Sequence, residues 1–159
     1  MRLELYAKDD KALYDTLVFN EEAMRMNYGR TFTEAEADLL FSAMLETNAE
    51  GPFGFYKVLV SEADGETYIG MGALNRNEEG AFEIEYMLLP EYWNRGYGTA
   101  LVETLLRTAK ASGLSRTVEA ITDLDNTFSK RILQNAGFAL VKRYTNDDGE
   151  PAELYRKAL

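Results

Sequence analysis

Apolar residues recur along this chain with two spacings. Period-two stretches predict strands, and stretches spaced i, i+3, i+4 predict helices. Residues 2–6 alternate, with Leu3 and Leu5 on one face and Arg2, Glu4 and Tyr6 on the other, and read as a short strand. Asp9-Asp10 then offer an N-cap for a helix to about Phe19, with Leu13, Leu17 and Val18 on its buried side. Residues 20–33 are less regular; Met24, Met26, Tyr28 and Phe32 crowd around Gly29. Thr33 and Glu36 form a capping-box pattern, which opens a helix to about Thr47 with Leu39, Leu40, Met44 and Leu45 inward. Residues 53–60 and 67–74 read as strands joined by the turn Glu62-Ala63-Asp64-Gly65. A further strand is predicted at 82–89.

The stretch that follows, residues 90–110, organises the rest. Leu101, Val102, Leu105, Leu106 and Ala109 fall at helical spacing, and Ser112-Gly113 supplies the stop. Between strand and helix lies Asn94-Arg95-Gly96-Tyr97-Gly98-Thr99. A glycine loop in that position leaves backbone N–H groups free at the positive end of the helix dipole, and Arg95 adds a full charge. The loop is therefore an anion site. It lacks the lysine of a phosphate-loop NTPase, because Thr99 follows the last glycine, and it lacks the third glycine of a dinucleotide fold, because Leu101 stands there.

Downstream, residues 117–121 read as a strand, and 125–136 as a helix capped by Asp125 or Asn126 and ended by Gly137. Residues 138–144 and 153–159 read as two more strands. Hairpins precede crossover units, which defines a mixed-sheet α/β domain. No internal repeat or linker divides residues 1–159, so one domain is expected.

Two motifs carry a family resemblance. Trp93-x-x-Gly96-x-Gly98 resembles the Q/R-x-x-G-x-G/A pyrophosphate loop of the GNAT (GCN5-related) N-acetyltransferases, with Trp93 in place of Gln or Arg. The Tyr-Trp before the glycines is similar to the ribosomal-protein N-terminal acetyltransferase branch. Asn126-x-x-Ser129-x-x-x-Leu133-x-x-x-Gly137-Phe138 resembles the family's second block. The predicted element order agrees over the whole chain.

The resemblance implies a GNAT fold: a mostly antiparallel sheet of about seven strands with helices on both faces. It implies acetyl-coenzyme A as cosubstrate, without metal, and a primary amine as acceptor. That acceptor is a protein N-terminus or a small amine such as an amino acid, polyamine or antibiotic. Asn94, Arg95, Gly96, Tyr97, Gly98 and Thr99 would hold the pyrophosphate, with Lys130 and Arg131 in reach of the coenzyme phosphates. Asn126 would meet the pantetheine arm. A bulge at Met87, Leu88 and Leu89 would offer N–H groups to the thioester carbonyl. Met26, Tyr28 and Phe32 match the acceptor-binding region. Members with Tyr at the Leu133 site use it to protonate the thiolate; Ser129 is the substitute here, with bound water as its rival. Glu83 and Glu85 share one face of the 82–89 strand and are the candidate bases, Glu83 slightly favoured.

Composition narrows the chemistry. The chain has 159 residues, no cysteine and no histidine. Disulfides, thiolate metal sites and Ser-His or Cys-His nucleophiles are excluded, so any acid–base group is a carboxylate, a hydroxyl, a lysine or water. A net charge of −10 argues against nucleic acid as a partner. No apolar run approaches the ~20 residues that cross a bilayer, and the charged N-terminus lacks a signal-peptide core. A cytoplasmic monomer or homodimer is expected. The competing class is a non-catalytic GNAT-fold module that binds a coenzyme A thioester as sensor or scaffold.

Overall fold

The computed structural model describes residues 1–159. In chain order the elements are β1 (Arg2–Leu5), α1 (Lys11–Val18), α2 (Glu21–Asn27), α3 (Glu34–Glu50), β2 (Gly54–Glu62), β3 (Gly65–Arg76), β4 (Phe82–Leu88), α4 (Tyr97–Ser112), β5 (Thr117–Asp123), α5 (Thr127–Asn135), β6 (Ala139–Thr145) and β7 (Pro151–Ala158). One seven-stranded sheet runs β1-β2-β3-β4-β5-β7-β6. Every pairing is antiparallel except β4 with β5, which are parallel.

Alternation along the strands fills both faces. Phe82, Ile84 and Leu88 of β4 join Leu101, Leu105 and Leu133 in a core beneath α4 and α5. Met87 turns the other way and packs with Tyr14, Leu17, Met24, Phe41 and Met44 beneath α1, α2 and α3. The expected mixed sheet with helices on both faces is what forms.

Three local expectations change. Residues 20–33 contain a helix, α2: the Asn20 side chain accepts from the Ala23 amide at 3.0 Å, and Glu21 and Glu22 sit in the first turn, favoured by the helix dipole. In α3 the capping box forms as expected, but the inward face is Ala37, Phe41 and Met44, while Leu39 is 72% exposed. The i, i+4, i+7 spacing of Ala37, Phe41 and Met44 carries the helix onto the sheet, and Leu39 falls outside that stripe. Tyr6, expected on the polar side of β1, is buried against Tyr14 and Phe41, with its hydroxyl 2.7 Å from that of Tyr68. Its ring supplies apolar area while its polar tip finds a partner.

The feature that makes a site is the brevity of the β4–β5 pairing. The two strands are in register at Phe82 with Val118 and at Glu83 with Glu119, then part. β4 continues on β3 as far as Leu88, whereas β5 goes on with β7.

Candidate active site

Parting strands leave backbone groups without sheet partners. The Leu89 amide donates to the Ile69 carbonyl of β3 at 2.9 Å. By antiparallel alternation the amides of Glu85 and Met87 also face β3, and those of Tyr86 and Leu88 face the side that β5 has left. Trp93 Nε1 donates to the Leu88 carbonyl at 2.8 Å, so that carbonyl is satisfied and the Tyr86 and Leu88 N–H groups are the donors aimed into the gap, Leu88 the nearer to the end of β4. The expected bulge at 87–89 is absent: β3–β4 register is unbroken, and the irregularity lies instead between Val58 and Leu59 on β2. Free donors arise from the departure of β5, so a bulge is not needed. Leu89 is buried beneath α1–α3, and Trp93 locks the end of β4 where the family pattern has Gln or Arg.

The gap opens into a cavity of about 330 Å³ lined by Glu83, Glu85, Tyr86, Met87, Asp123, Asn126 and Ser129, with Met26 and Tyr28 from the α2 end. Glu85 keeps surface open to this cavity, yet protein surrounds it closely. Loss of bulk water, with the Glu83 charge adding to it, pushes its carboxyl up to about 7. Glu83 is also raised, by burial first and then by Glu119. Glu119 itself is held by Arg156 Nε at 2.7 Å and Asn77 Nδ2 at 3.0 Å. Of the two glutamates brought together as expected, Glu85 is the one poised near neutrality.

On the α4–α5 side of the gap, the Tyr86 hydroxyl lies 2.8 Å from Ser129 Oγ. The Tyr86 hydroxyl also lies 3.4 Å from the Ser129 carbonyl; when Tyr86 donates to Ser129 Oγ, the Ser129 hydroxyl keeps its proton free. Burial pushes the Tyr86 phenol up to about 12, so it stays protonated. Asn126 caps α5: its Oδ1 accepts from the Ser129 amide at 3.0 Å, and its Nδ2 donates to the Met26 carbonyl at 3.2 Å, tying α5 to α2. Leu133 is fully buried in the core. Tyr86 is the site residue that pattern reasoning missed, because alternation with Ile84 and Leu88 marks it as core.

A narrower space of about 110 Å³ runs from Ser129 past Leu88, Trp93 and Phe128 to Asn94 and Gly98. It ends at the start of α4. Gly96 is the N-cap, with φ of 82°, a left-handed conformation that suits glycine. The first helical bond is Ala100 N–H to the Gly96 carbonyl, so the amides of Tyr97, Gly98 and Thr99 precede the helical ladder. Asn94 is also left-handed, with φ of 58°. Arg95 is exposed, its guanidinium 5.7 Å over the Tyr92 ring. Gly98 lets α4 meet α5: a Cβ there would lie 2.8 Å from Ile132 Cδ1. Arg131 is exposed on α5, whereas its neighbour Lys130 is paired with the buried Glu153 at 2.9 Å. Met26 lines both spaces, Tyr28 the wider one, and Phe32 a third space beyond Glu85.

A sheet opened between two parallel strands, with a glycine-capped helix start at one end and carboxylates at the other, is the layout of an acyltransferase of the GNAT fold. The chain belongs to that family: the model of the acetyltransferase (GNAT) domain matches residues 1–139. No curated protein matches its sequence. Among solved structures it is similar to an aminoglycoside acetyltransferase in complex with coenzyme A, 18% identical, with a TM-score of 0.80 over 98% of this chain and 93% of that one. The ribosomal-protein α-N-acetyltransferase RimL, in complex with coenzyme A, is 15% identical, with a TM-score of 0.81 over 99% and 93%. Spermidine N-acetyltransferase from Vibrio cholerae, in complex with coenzyme A and spermine, is 14% identical, with a TM-score of 0.79 over 99% and 94%. At such identities these likenesses speak to the fold. No helix is long and apolar enough to cross a membrane.

Proposed function

We propose that this acetyltransferase moves the acetyl group of acetyl-coenzyme A directly to a primary amine, within one ternary complex. One observation carries the proposal: Glu85 and the Tyr86–Ser129 pair project to opposite faces of β4 yet line one cavity, through the gap between β4 and β5. A thioester entering along the narrower space from α4 meets an amine arriving from the α1–α3 side. The residues present fit coenzyme A: the amides of Tyr97, Gly98 and Thr99 with Arg95 suit its pyrophosphate, and the apolar walls of Leu88, Trp93 and Phe128 suit its pantetheine arm.

Each group then has a task. Glu85, with a carboxyl near 7, takes a proton from the ammonium, directly or through water. The Leu88 N–H stabilises the carbonyl oxygen as negative charge develops on it. The free proton of the Tyr86–Ser129 pair hydrogen-bonds the sulfur as the C–S bond breaks. A phenol near 12 is too weak an acid to protonate a thiolate of ordinary pKa, ~8.5, outright through the Ser129 hydroxyl; the pair acts as a donor, and a second proton from the amine nitrogen, lost as the amide forms, neutralises the sulfur. No cysteine or histidine is present to carry the acetyl group. The two cores flank one continuous sheet, which supports one catalytic domain over residues 1–159.

The test is turnover of acetyl-coenzyme A over a panel of amines, followed by free-thiol release and by bisubstrate kinetics. Intersecting initial-rate lines are expected. Parallel lines with an isolable acetyl-enzyme would contradict direct transfer. Coenzyme A binding without acetylation of any amine would leave a sensor or scaffold.

A further inference from the structure

Glu85 also opens onto a space of different character. On the α1–α3 side of β4 lies a cavity of about 220 Å³ whose walls include Val18, Phe32, Leu40, Met44 and Phe55. It shares Tyr28, Met71, Glu85 and Met87 with the catalytic cavity, so the two adjoin at the carboxylate. Its rim is apolar and uncovered: Tyr28 is 55% and Leu40 39% exposed. The Tyr28 and Phe32 rings meet edge to face at 4.9 Å, which presets an aromatic wall at the entrance. Tyr14, Tyr28 and Thr47 supply the hydroxyls besides the Glu85 carboxyl. Burial first, and neighbouring charges that include Glu85, raise the pKa of the Tyr14 and Tyr28 hydroxyls, as expected for groups gathered around one carboxylate.

Resting on the function proposed above, we infer that the acceptor is a primary amine bearing one apolar group, an aryl ring or a short alkyl chain. That group fills the α1–α3 cavity while the nitrogen lies at Glu85. The size is suitable: an apolar cavity of ~150 Å³ is enough to hold benzene. In this cavity a polyamine or an aminoglycoside would instead set further charged or hydroxylated groups against mostly apolar walls, where three hydroxyls compensate little of their lost water. The ammonium itself is drawn to the catalytic cavity by the net charge of −10 and by Asp123, Asp125 and Glu150, which together with Arg25 line a space that shares Met26, Asp123 and Asn126 with that cavity.

The experiment measures kcat/KM of the full chain at saturating acetyl-coenzyme A. The amines are unbranched alkylamines from ethyl to octyl, phenethylamine, spermidine and an aminoglycoside. The alkylamines share nearly the same basicity, so their slope reports packing. About a 4-fold gain per methylene is expected until the cavity is full. Phenethylamine should exceed ethylamine by about 100-fold, and spermidine and the aminoglycoside should be poorer than either. Ala43→Phe places a ring at the cavity wall and should lower the phenethylamine-to-ethylamine ratio about 10-fold, with coenzyme A affinity measured alongside to report folding. The wild-type series decides the matter even if that variant misfolds. Turnover that is flat along the series, or that favours spermidine or the aminoglycoside, overturns the apolar acceptor and leaves acetyl transfer standing. Coenzyme A binding with no amine acetylated overturns both.

Discussion

The Tyr86 hydroxyl stands 2.8 Å from Ser129 Oγ, joining the strand that borders the opened sheet to the first turn of α5. Two side chains from separate elements thereby present one free hydroxyl proton beside the path of the thioester. Loss of a hydrogen bond to a developing thiolate costs about 1.5–3 kcal/mol. Tyr86→Phe should therefore lower kcat about 10- to 100-fold at unchanged coenzyme A affinity. Ser129→Ala should fall in the same range, and the double variant should be no worse than the poorer single one. Additive losses in that cycle would show that the two hydroxyls act separately.

Glu85 should set the acidic limb of the pH–rate profile. Its carboxyl is raised to about 7 by burial and then by Glu83, so kcat/KM should fall as pH drops below that value. Glu85→Gln keeps size but removes basicity, a loss of ~10²–10⁴-fold, and should abolish the limb. Glu83→Gln removes a like charge, which should move the limb to lower pH with a smaller loss of rate. Full turnover by Glu85→Gln with an unshifted profile would assign deprotonation to water.

The same carboxylate should destabilise the fold. A group raised from 4.5 to about 7 holds its proton in the folded chain where the unfolded chain has lost it. Its contribution to stability is present below about 4.5 and is lost as pH rises toward 7, the direction set by linkage. Glu83 on the same strand adds repulsion, while Tyr14 from α1 and Tyr28 beyond α2 stay neutral there. Glu85→Gln, neutral throughout, should match wild-type Tm near pH 4.5 and exceed it by a few degrees at pH 8. The gain is modest because Glu85 borders an open, solvated cleft. A Tm difference that does not widen with pH would show that the carboxylate is not desolvated.

Local signals reached the structure nearly intact. The caps at Thr33, Asn126 and Gly113, the hairpin at 62–65 and the glycine loop before α4 are each fixed by residues close in sequence. Helix α2 was not legible because seven residues carry about two turns of periodicity, too little to stand out among crowded methionines. The site was half legible. Glu83 and Glu85 share a face by alternation alone, but which one is more desolvated depends on Tyr14, Tyr28 and the helices packed over β4. Tyr86 was hidden because its strand pattern is that of a core residue, and its partner lies 43 positions away. The ion pair that removes Lys130 from the candidate phosphate ligands, and the parting of β5 from β4 that replaces the expected bulge, are likewise long-range facts.

The start of α4 offers a test that separates ligand binding from packing. Arg95→Ala should weaken coenzyme A binding about 10- to 100-fold, the value of a charge-assisted contact, and the difference should shrink as salt rises. Gly98→Val alone is ambiguous, because its Cβ would meet Ile132 Cδ1 at 2.8 Å and disturb the α4–α5 contact whether or not a phosphate approaches. The contact is with the end of a flexible side chain, so Ile132→Ala should relieve it. In the Gly98→Val, Ile132→Ala double variant, Tm should recover toward that of Ile132→Ala alone. Coenzyme A affinity should stay low, because the added methyl groups still screen the α4 amides from the pyrophosphate. Isothermal titration together with thermal melting of the four proteins reads both quantities. Recovery of affinity along with Tm would mean that Gly98 serves helix packing and not the phosphates.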